Sequence, residues 1–561
     1  MKNICKHCRL NFEVSPADLA FLAKISPTFA GEKFALPAPT LCSDCRQQLR
    51  LLWRNERSLY RRTCDLCEKS IISCYAPDSP AVVYCTECWW SDRWDPLDFG
   101  QDIDFSQPFF PQFLVMQRRV PRLALSAINN ENSDYVHLSG SNKNCYLLFA
   151  AEFNQDCHHG TQVVKCEGCI DALDCFESRY CYEVTDVEKC HEVSFSHNCS
   201  NCSGSAFLFD CRSCMDCLFS TNLRSKRNVV RNRQVTPEEF AREMKLYLDR
   251  LDRGDLPQMI EEFRKLEQQS IHRAQDSVNC ENATGDYLKN CRNVAHCYDL
   301  TYGEDCAYVL TGFQVKDLMD VCHTTDAELG YNGISLGYGA YNTICTHGSW
   351  GARNLLYCDV IQSGSSDLFG CVSIKKNQYC ILNKQYSKEE YEVLAAKLCE
   401  HMIKIGEFGE FFPSGISPFA YNETNAQFYF PLNVSKAKEQ GFPWREADDE
   451  VLRVSKTIPA SGIPSAIGSV PDDILEWAIT CEATDRPFRI VKQELQFYRE
   501  HHLPIPHLHP DERHRRRMSL RNPRKLWSRK CAKCGKGIET TYSMERPEKV
   551  YCEECYLKEV Y

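Results

Sequence analysis

The sequence predicts a mainly β protein with additional α-helices, in which a duplicated, small-core β-solenoid with capping helices is flanked by zinc-ribbon pairs. Three observations support this fold class: cysteine pairs near both termini, a three-residue periodicity between them, and two internal duplications. A chain of 561 residues is too long for one core, so we expect several domains. The expected segments are an N-terminal zinc-ribbon pair (1–95), a first solenoid repeat with capping helices (96–270), a second repeat with a capping helix (271–415), a connector and linker (416–477), and a C-terminal zinc-ribbon pair with a degenerate first ribbon (478–561).

Twelve cysteines near the termini form six C-x-x-C pairs, which combine into three sets of four. A two-residue gap lets both thiolates of a pair bind one ion, and two pairs complete a tetrahedral site without an open position. The spacing therefore predicts three structural Zn²⁺ ions, with unligated thiols or redox pairs as the alternative. The sets are Cys5, Cys8, Cys42 and Cys45; Cys64, Cys67, Cys85 and Cys88; and Cys531, Cys534, Cys552 and Cys555.

The ribbon pairs at the two ends are related by duplication. RNERSLYRRTCDLC (54–67) aligns with RNPRKLWSRKCAKC (521–534), an offset of 467 (521 minus 54). The first set of four then corresponds to Cys481, Thr484, His509 and Glu512. Because Thr is a poor zinc ligand, we expect this fourth ribbon to keep its fold without a metal, with weak binding by Cys481 and His509 as the alternative.

The middle of the chain has a period of three residues. Every cysteine from Cys145 to Cys217 lies in one register modulo three, which matches neither the 3.6 of a helix nor the 2.0 of a strand. We interpret it as a narrow β-solenoid that points one small side chain inward per triplet. Asp or Asn often precedes the inward cysteine, as expected for corners in a left-handed conformation.

A second copy of this segment follows the first. RNRQVTPEEF (231–240) aligns with LNKQYSKEEY (382–391), an offset of 151 (382 minus 231), and each contains the capping box of a helix, after Thr236 and Ser387. Many inward cysteines are replaced by Val, Leu or Gly in the second copy. We therefore expect most of these thiols to fill the core, with further zinc sites or disulfides as the alternative.

Charge is unevenly distributed along a chain whose net charge is −10. Residues 142–222 contain twelve acidic and five basic side chains, whereas residues 513–530 contain nine Lys and Arg without an acid. Basic segments beside zinc ribbons, with Trp53, Tyr60 and Trp527 among them, are typical of nucleic-acid binding, and docking onto the acidic solenoid within the molecule is the alternative. The residues predicted to contact phosphates of RNA or a ribonucleoprotein are Arg46, Arg50, Arg54, Arg57, Arg515, Arg516, Arg517, Arg521 and Lys525.

No catalytic motif is recognisable: the sequence has no G-x-S-x-G, H-E-x-x-H or G-x-x-x-x-G-K pattern. The leading hypothesis is thus a non-enzymatic, zinc-stabilised scaffold that binds nucleic acid. The alternatives are a scaffold whose acidic solenoid binds a basic protein, as a nucleic-acid mimic, and an enzyme that uses His158, His159 or the HHLPIPHLHP cluster (501–510). Without an apolar span or a signal core, and with abundant thiols, we expect a cytoplasmic protein that does not enter a membrane.

Several segments resemble a family of uncharacterised cysteine-rich zinc-ribbon proteins of small uncultured bacteria. They are CSDCRQQLRLLWRNERSLYRRTCDLC, YCTECWWSDRWDPLDFG, LNKQYSKEEY, SPFAYNETNAQ, FRIVKQELQFYREHHLPIPHLHPDERH and YCEECYLKEVY, which are spread over nearly the whole chain. The resemblance implies zinc ribbons and no particular activity. This sequence has fewer cysteines in its second solenoid copy than the commoner members of that family.

Overall fold

The computed structural model describes residues 1–446 and 454–561. It is mixed α/β, with about 36% strand and 25% helix, and contains two long parallel sheets. The chain divides into two compact units, each built from separate stretches of sequence. Unit 1 comprises Met1–Leu125, Gln275–Arg445 and Pro523–Leu526; unit 2 comprises Ser126–Ala274, Glu446–Asn522 and Trp527–Tyr561.

The first long sheet, in unit 2, has eleven strands that lie in chain order. All neighbours are parallel except the last pair, and successive strands are displaced by twelve residues: Tyr146 lies opposite His158, and His158 opposite Ile170. Short connections therefore suffice between parallel strands, where a crossover helix is usual. The strands are Ala127–Ile128, His137–Gly140, Tyr146–Glu152, His158–Val164, Ile170–Phe176, Tyr182–Glu188, His191–Ser200, Ser203–Phe209, Met215–Thr221, Arg227–Val230 and Arg233–Gln234.

Backbone conformation in this sheet follows the period of the sequence. From 129 to 231 every third residue has a positive φ, among them Asn144, Asp156 and Asp174, as the sequence predicted for its Asp and Asn positions. The residue after each of these points inward, and this register contains the buried cysteines. Asn and Asp tolerate this conformation best, so their frequency at these positions lowers the backbone strain.

Several buried polar side chains of the first long sheet form hydrogen bonds with neighbouring residues of the same sheet and its connections. The Cys157 thiol donates to the Gln155 carbonyl oxygen (3.3 Å), and the Ser178 hydroxyl donates to that of Phe176 (2.8 Å). A thiol and a hydroxyl thus make the same contact at inward positions. The buried Asn154 amide donates to Oδ1 of Asn142 (2.8 Å), a second buried asparagine in the cysteine register.

The rest of unit 2 packs around this sheet. Thr236 and Glu239 form the predicted capping box, and helices follow at Pro237–Asp252 and Leu256–Gln269. Residues 456–471 of the expected linker are folded and bury Ile458, Ile463 and Ile467, whereas residues 447–453 lie outside the described part of the chain. The other helices are Lys492–Glu500, Pro510–Met518 and Glu553–Val560, with 3₁₀ turns at Ala460–Gly462, Ile467–Ser469 and Asp472–Glu476; the other strands are Ile271–Arg273, Lys456–Pro459, Trp477–Thr480, Pro487–Phe488, Trp527–Lys530, Gly537–Thr540 and Lys549–Tyr551.

The second long sheet, in unit 1, repeats the arrangement less regularly. Its strands are parallel except for the last pair, and most steps are twelve residues, as between Tyr298 and Leu310. A step of eleven joins Glu281 to Arg292, beside an irregularity at Ala283 and Gly285. The strands are Ser277–Val278, Glu281–Lys289, Arg292–Ala307, Leu310–Ile344, His347–Trp350, Arg353–Leu356, Asp359–Ile361, Ser366–Phe369, Gln378–Ile381 and Lys384–Gln385.

The rest of unit 1 places the N-terminal cysteine sets beside this sheet. Ser387 and Glu390 form the second predicted capping box at the start of helix Lys388–Ile405. The helix Phe109–Arg119 buries Phe109 and Phe113 in the largest apolar cluster. The other helices are Pro16–Ile25, Ser43–Leu51, Thr86–Trp89, Asn425–Tyr429 and Val434–Glu439, with 3₁₀ turns at Pro96–Phe99, Ser414–Ile416 and Tyr421–Glu423; the other strands are Lys2–Ile4, Asn11–Glu13, Thr28–Phe29, Glu32–Lys33, Tyr60–Thr63, Ser70–Ser73, Val83–Tyr84 and Arg122–Leu123.

Candidate metal centres and the arginine contacts

The first cysteine pair of each predicted set lies in the same tight turn. In the second set the Cys64 N–H donates to the Lys69 carbonyl (2.9 Å), the Glu68 N–H donates to that of Cys64 (2.9 Å), and Glu68 has a φ of 61°. This turn points both sulfur atoms of the pair to one side. The same hydrogen bonds and positive φ occur at Cys5, Arg9 and Leu10 and at Cys531, Gly535 and Lys536.

The second cysteine pair of each set lies at the start of a helix. Cys85 is the residue before helix Thr86–Trp89, and Cys88 follows within its first turn. Backbone N–H groups and the helix dipole at this end favour the thiolate. Cys42 and Cys552 occupy the same position before Ser43–Leu51 and Glu553–Val560.

The four sulfur atoms of each set converge. In all three sets they lie within 4.8 Å of one another. A tetrahedral ion with metal–sulfur bonds of about 2.3 Å needs sulfur–sulfur edges of about 3.8 Å. Each set could therefore hold a metal ion, and one edge of each set already has the required length. Measured edges are 3.7 Å for Cys8–Cys42, 3.8 Å for Cys67–Cys85 and 3.7 Å for Cys534–Cys552.

Local hydrogen bonds prepare one thiol of each set for ionisation, Cys42, Cys64 and Cys531, whereas burial raises the pKa of others such as Cys88. Burial raises the pKa of Cys64, but backbone N–H groups, that of Cys85 foremost, lower it by more, to about 6. The Cys85 N–H lies 3.2 Å from Cys64 Sγ, and Arg93 Nη2 lies 2.6 Å from Cys88 Sγ. Donors directed at sulfur stabilise thiolates, which are the form that binds metal.

The fourth ribbon keeps the turn and not the ligands. The Cys481 N–H donates to the Arg486 carbonyl (3.0 Å), Asp485 has a φ of 56°, and His509 precedes helix Pro510–Met518 as Cys42 precedes its helix. His509 Nδ1 accepts a hydrogen bond from the Asp511 N–H (3.1 Å), so this nitrogen already serves as a helix cap. The same turn and helix start therefore occur here without a set of four thiols.

In unit 2, helix Pro510–Met518 directs arginines at acidic residues of the first long sheet. Arg513 and Arg517 both pair with Asp171, the second at 2.8 Å, and all three side chains are at most 1% exposed. Burial raises the pKa of Asp171, but the charges of Arg513 and Arg517 lower it below its usual value. Three further pairs extend the contact: Arg516 with Glu183 (2.7 Å) and Arg521 with Asp174 (3.0 Å) and Asp186 (3.1 Å).

In unit 1, helix Ser43–Leu51 makes the equivalent contact with the second long sheet. Arg46 Nε lies 2.8 Å from Asp320 Oδ2, and Arg50 Nη2 lies 3.2 Å from Asp320 Oδ1. Arg54 donates to the Ser335 hydroxyl (2.8 Å) and pairs with Glu56 (2.5 Å). The guanidinium groups are nearly fully buried, so these contacts are internal ion pairs.

The residues of the two arginine contacts are separated by nearly regular offsets. Arg46 and Arg513 differ by 467, as do Arg50 and Arg517, while Asp320 follows Asp171 by 149, two residues fewer than the 151 between the capping boxes. Corresponding stretches of the sequence therefore supply both ends of each contact. Arg513 was missed by the sequence reasoning, although its alignment with Arg46 could have identified it.

The nine residues predicted to bind nucleic acid fall into two groups. Arg46, Arg50, Arg54, Arg517 and Arg521 are engaged with the long sheets or their neighbours, and Arg57 is half-buried. The remaining cations face solvent to a greater degree. Arg515 and Arg516 keep 52% and 40% of their side chains exposed, beside Glu512 and Glu183, and Lys525 is exposed.

Lys375 in unit 1 lies against two aromatic rings, and Arg224 makes a similar contact in unit 2. Lys375 Nζ lies 4.3 Å from the ring centre of Trp89 and 4.1 Å from that of Trp94. Burial lowers the Lys375 pKa to about 8, against the opposing charges of Asp95 and Asp92. The offsets of 151 and 467 map these residues onto Arg224, Tyr556 and Tyr561, where the guanidinium carbon lies 5.9 and 5.5 Å from the two ring centres. No sequence motif had indicated this contact.

The histidines that the sequence offered as catalytic bases are in contact with other side chains of the fold. His159 is 1% exposed, and its Nε2 lies 3.2 Å from Glu494 Oε1. Burial lowers the pKa of the neighbouring His158 to about 4. In the 501–510 cluster, His501 packs on Phe497 with ring centres 4.3 Å apart. The three histidines thus pack against other side chains within unit 2.

Comparisons with known proteins give no family for this chain. No protein-family model matches it, and no curated protein matches it. A crystal structure from Desulfovibrio desulfuricans G20, named by prediction as an acetyltransferase, aligns at 8% identity and a TM-score of 0.10 over 43% of this chain. The aligned part spans 64% of that protein, less than two thirds, and the score is too low for any argument about fold. Among the described residues no helix is long and apolar enough to cross a membrane.

Proposed function

We propose that both long sheets are β-solenoids with coils of twelve residues. The displacement of parallel strands supports this, since it is twelve residues in the first sheet and varies from eleven to thirteen in the second, as does the positive φ at every third residue of the first sheet. Four such residues in each coil divide it into four sides of three residues. Each coil then buries its inward side chains against the coils above and below.

We further propose that the three sets of four cysteines bind Zn²⁺. Four thiolates at tetrahedral spacing suit zinc and leave no position for a substrate, so the ions stabilise the ribbons and take no part in a reaction. All 36 cysteines are free thiols, which supports a reducing compartment such as the cytoplasm. Metal analysis of the purified chain should give three zinc ions, and Cys64→Ser should reduce that to two.

On this framework the protein acts as a non-enzymatic scaffold that binds nucleic acid, RNA or a ribonucleoprotein, through the outward cations of its C-terminal basic segment. The observation that carries the proposal is the two-sided helix Pro510–Met518. Arg513 and Arg517 face the sheet, while Arg515 and Arg516 keep about half of their side chains in solvent. Arg515 and Arg516 of unit 2, and separately Lys525 of unit 1, offer cations for phosphate contacts; Arg516 would exchange its pair with Glu183 for a phosphate, while the ion pairs of Asp171 stay intact.

The test is binding of a fluorescent single-stranded RNA as a function of salt. Three phosphate contacts contribute a slope of about −2 to log K against log salt, at about −0.7 per contact. Replacing Arg515, Arg516 and Lys525 by Ala should make the slope of log K against log salt less negative by about 2. The control replaces the exposed cations Arg242, Lys245 and Lys265 of unit 2. The proposal would be contradicted if both variants lost the same RNA affinity, or if the affinity did not depend on the salt concentration.

The second candidate is a scaffold that binds a basic protein through the acidic sheet of unit 2. It is favoured by the way this sheet already accepts an arginine-rich helix. Asp171 and Asp174 are engaged in that contact, so a partner would use outward carboxylates such as Glu177 and Glu192, with 49% and 55% exposure. Charge reversal at these two positions should then abolish capture of a basic partner and leave RNA binding unchanged.

A further inference from the structure

Three thiols inside the first long sheet form a fourth convergent group. The Sγ atoms of Cys166, Cys169 and Cys175 all lie within 4.8 Å of one another, and those of Cys166 and Cys175 are 3.7 Å apart. Cys166 and Cys169 belong to a C-x-x-C turn, and Cys175 follows in strand Ile170–Phe176. All three are at most 3% exposed. The group thus contains one C-x-x-C pair, as each terminal set contains two, together with a single thiol from the following strand.

The geometry fits a three-coordinate ion. A planar site with three metal–sulfur bonds of about 2.3 Å has sulfur–sulfur edges of about 4.0 Å, which lies within the observed spacing. Structural zinc takes four ligands, and the described residues place only three ligand atoms at this spacing. Thiolates are soft ligands that select Cu(I), and this d¹⁰ ion accepts three of them.

The site lies in apolar surroundings. The thiols belong to a cluster of cysteines and aliphatic residues such as Val163 and Val184. Because thiolates are the form that binds metal, binding of one Cu(I) by all three sulfur atoms releases three protons to solvent. Copper enters as Cu(I), so binding needs neither an oxidant nor a reductant.

The second long sheet shows that packing does not require cysteine at these positions. The offset of 149 maps the three thiols onto Val315, Leu318 and Thr324, which are buried to a similar degree. Aliphatic and hydroxyl side chains thus fill the same interior. We propose that Cys166, Cys169 and Cys175 form a fourth metal site, specific for Cu(I), which the second sheet has lost or never had.

The experiment is metal analysis of the full-length protein. The protein is produced in copper-supplemented medium, because a buried site loads during folding, and is purified without oxygen over a competing Cu(I) chelator. The variant C166V/C169L/C175T carries the residues of the second sheet and should fold as before. The control C291V/C297L/C306T removes three buried thiols that do not converge.

Wild type and control should each hold one copper ion more than C166V/C169L/C175T, with three zinc ions in every protein. X-ray absorption on the wild type should show three sulfur neighbours at about 2.3 Å from copper, a readout that needs no variant. If the triple variant fails to fold, Cys175→Thr alone should remove the three-sulfur signature. Equal copper in wild type and variant, absence of copper, or a fourth zinc in its place would overturn the proposal.

Discussion

Replacing Asp171 by Ala should strongly destabilise unit 2. Asp171 is fully buried and is the shared carboxylate of Arg513 and Arg517, each 1% exposed. The change removes the carboxylate that both guanidinium groups share, and leaves Arg513 with Glu494 (3.4 Å) and Arg517 with Glu183 (3.5 Å). Breaking a buried pair in this way costs about 3–5 kcal/mol, and the remaining carboxylates place the expected loss at the lower end.

The assay is urea unfolding in zinc-containing buffer, followed by circular dichroism, with hydrogen exchange to locate the effect. Exchange should accelerate in residues 158–188 and remain unchanged in 310–344. The matched control is Glu167→Ala, which breaks the exposed pair with Arg179 (3.4 Å) in the same sheet and should cost less than about 1 kcal/mol. If both variants lose the same free energy of unfolding, the buried ion pairs do not hold the helix to the sheet.

Three further predictions concern other sites. Because the His158 pKa is about 4 in the folded state and about 6.5 when unfolded, the unfolded chain binds more protons between these values, so stability is lost as pH falls through this window. The loss from pH 7 to pH 5 should be about 2 kcal/mol smaller in His158→Gln, measured by urea unfolding at both pH values. Lys375→Met should lower the unfolding free energy by about 1–2 kcal/mol through loss of its contacts with two tryptophan rings, and the exposed Lys376→Met should change it by less than about 0.5 kcal/mol. Gly285→Ala should be the most damaging glycine change in the second long sheet, because φ is 141° and a methyl group would lie 1.7 Å from a carbonyl oxygen. At Gly337 an added methyl group would lie 3.5 Å from the nearest atom, so Gly337→Ala should leave the thermal unfolding temperature nearly unchanged. Similar decreases in unfolding temperature for Gly285→Ala and Gly337→Ala would contradict this argument.

Features encoded over short distances could be predicted from the sequence. The spacing of Cys64 and Cys67 specifies a turn through local hydrogen bonds, and the two capping boxes lie where Thr236 and Ser387 indicated. The period of three and the Asp and Asn positions likewise reflect backbone conformations that each residue adopts locally. These signals need no knowledge of the tertiary fold.

Long-range contacts could not be predicted in the same way. Arg513 and Asp171 are separated by 342 residues, and charge complementarity alone left two interpretations of the basic segments, nucleic-acid binding and internal docking. A single sequence does not say which carboxylate lies opposite which arginine. The shared offsets of 467 and 149 support the pairing only when both duplications are compared, and the aromatic contact of Lys375 had no motif at all.

The pairing of segments within each unit explains why the duplications are interleaved. Unit 1 combines the first ribbon pair with the second long sheet, and unit 2 combines the first long sheet with the last ribbon pair. A cut between residues 270 and 271 would therefore leave Asp320 in one fragment and Arg46 in the other, and would separate Asp171 from Arg513 in the same way. Each fragment would then contain buried charges without counter-ions, a cost of several kcal/mol at each sheet. Neither half of the sequence is thus an independent folding unit, although each contains one copy of both repeated modules.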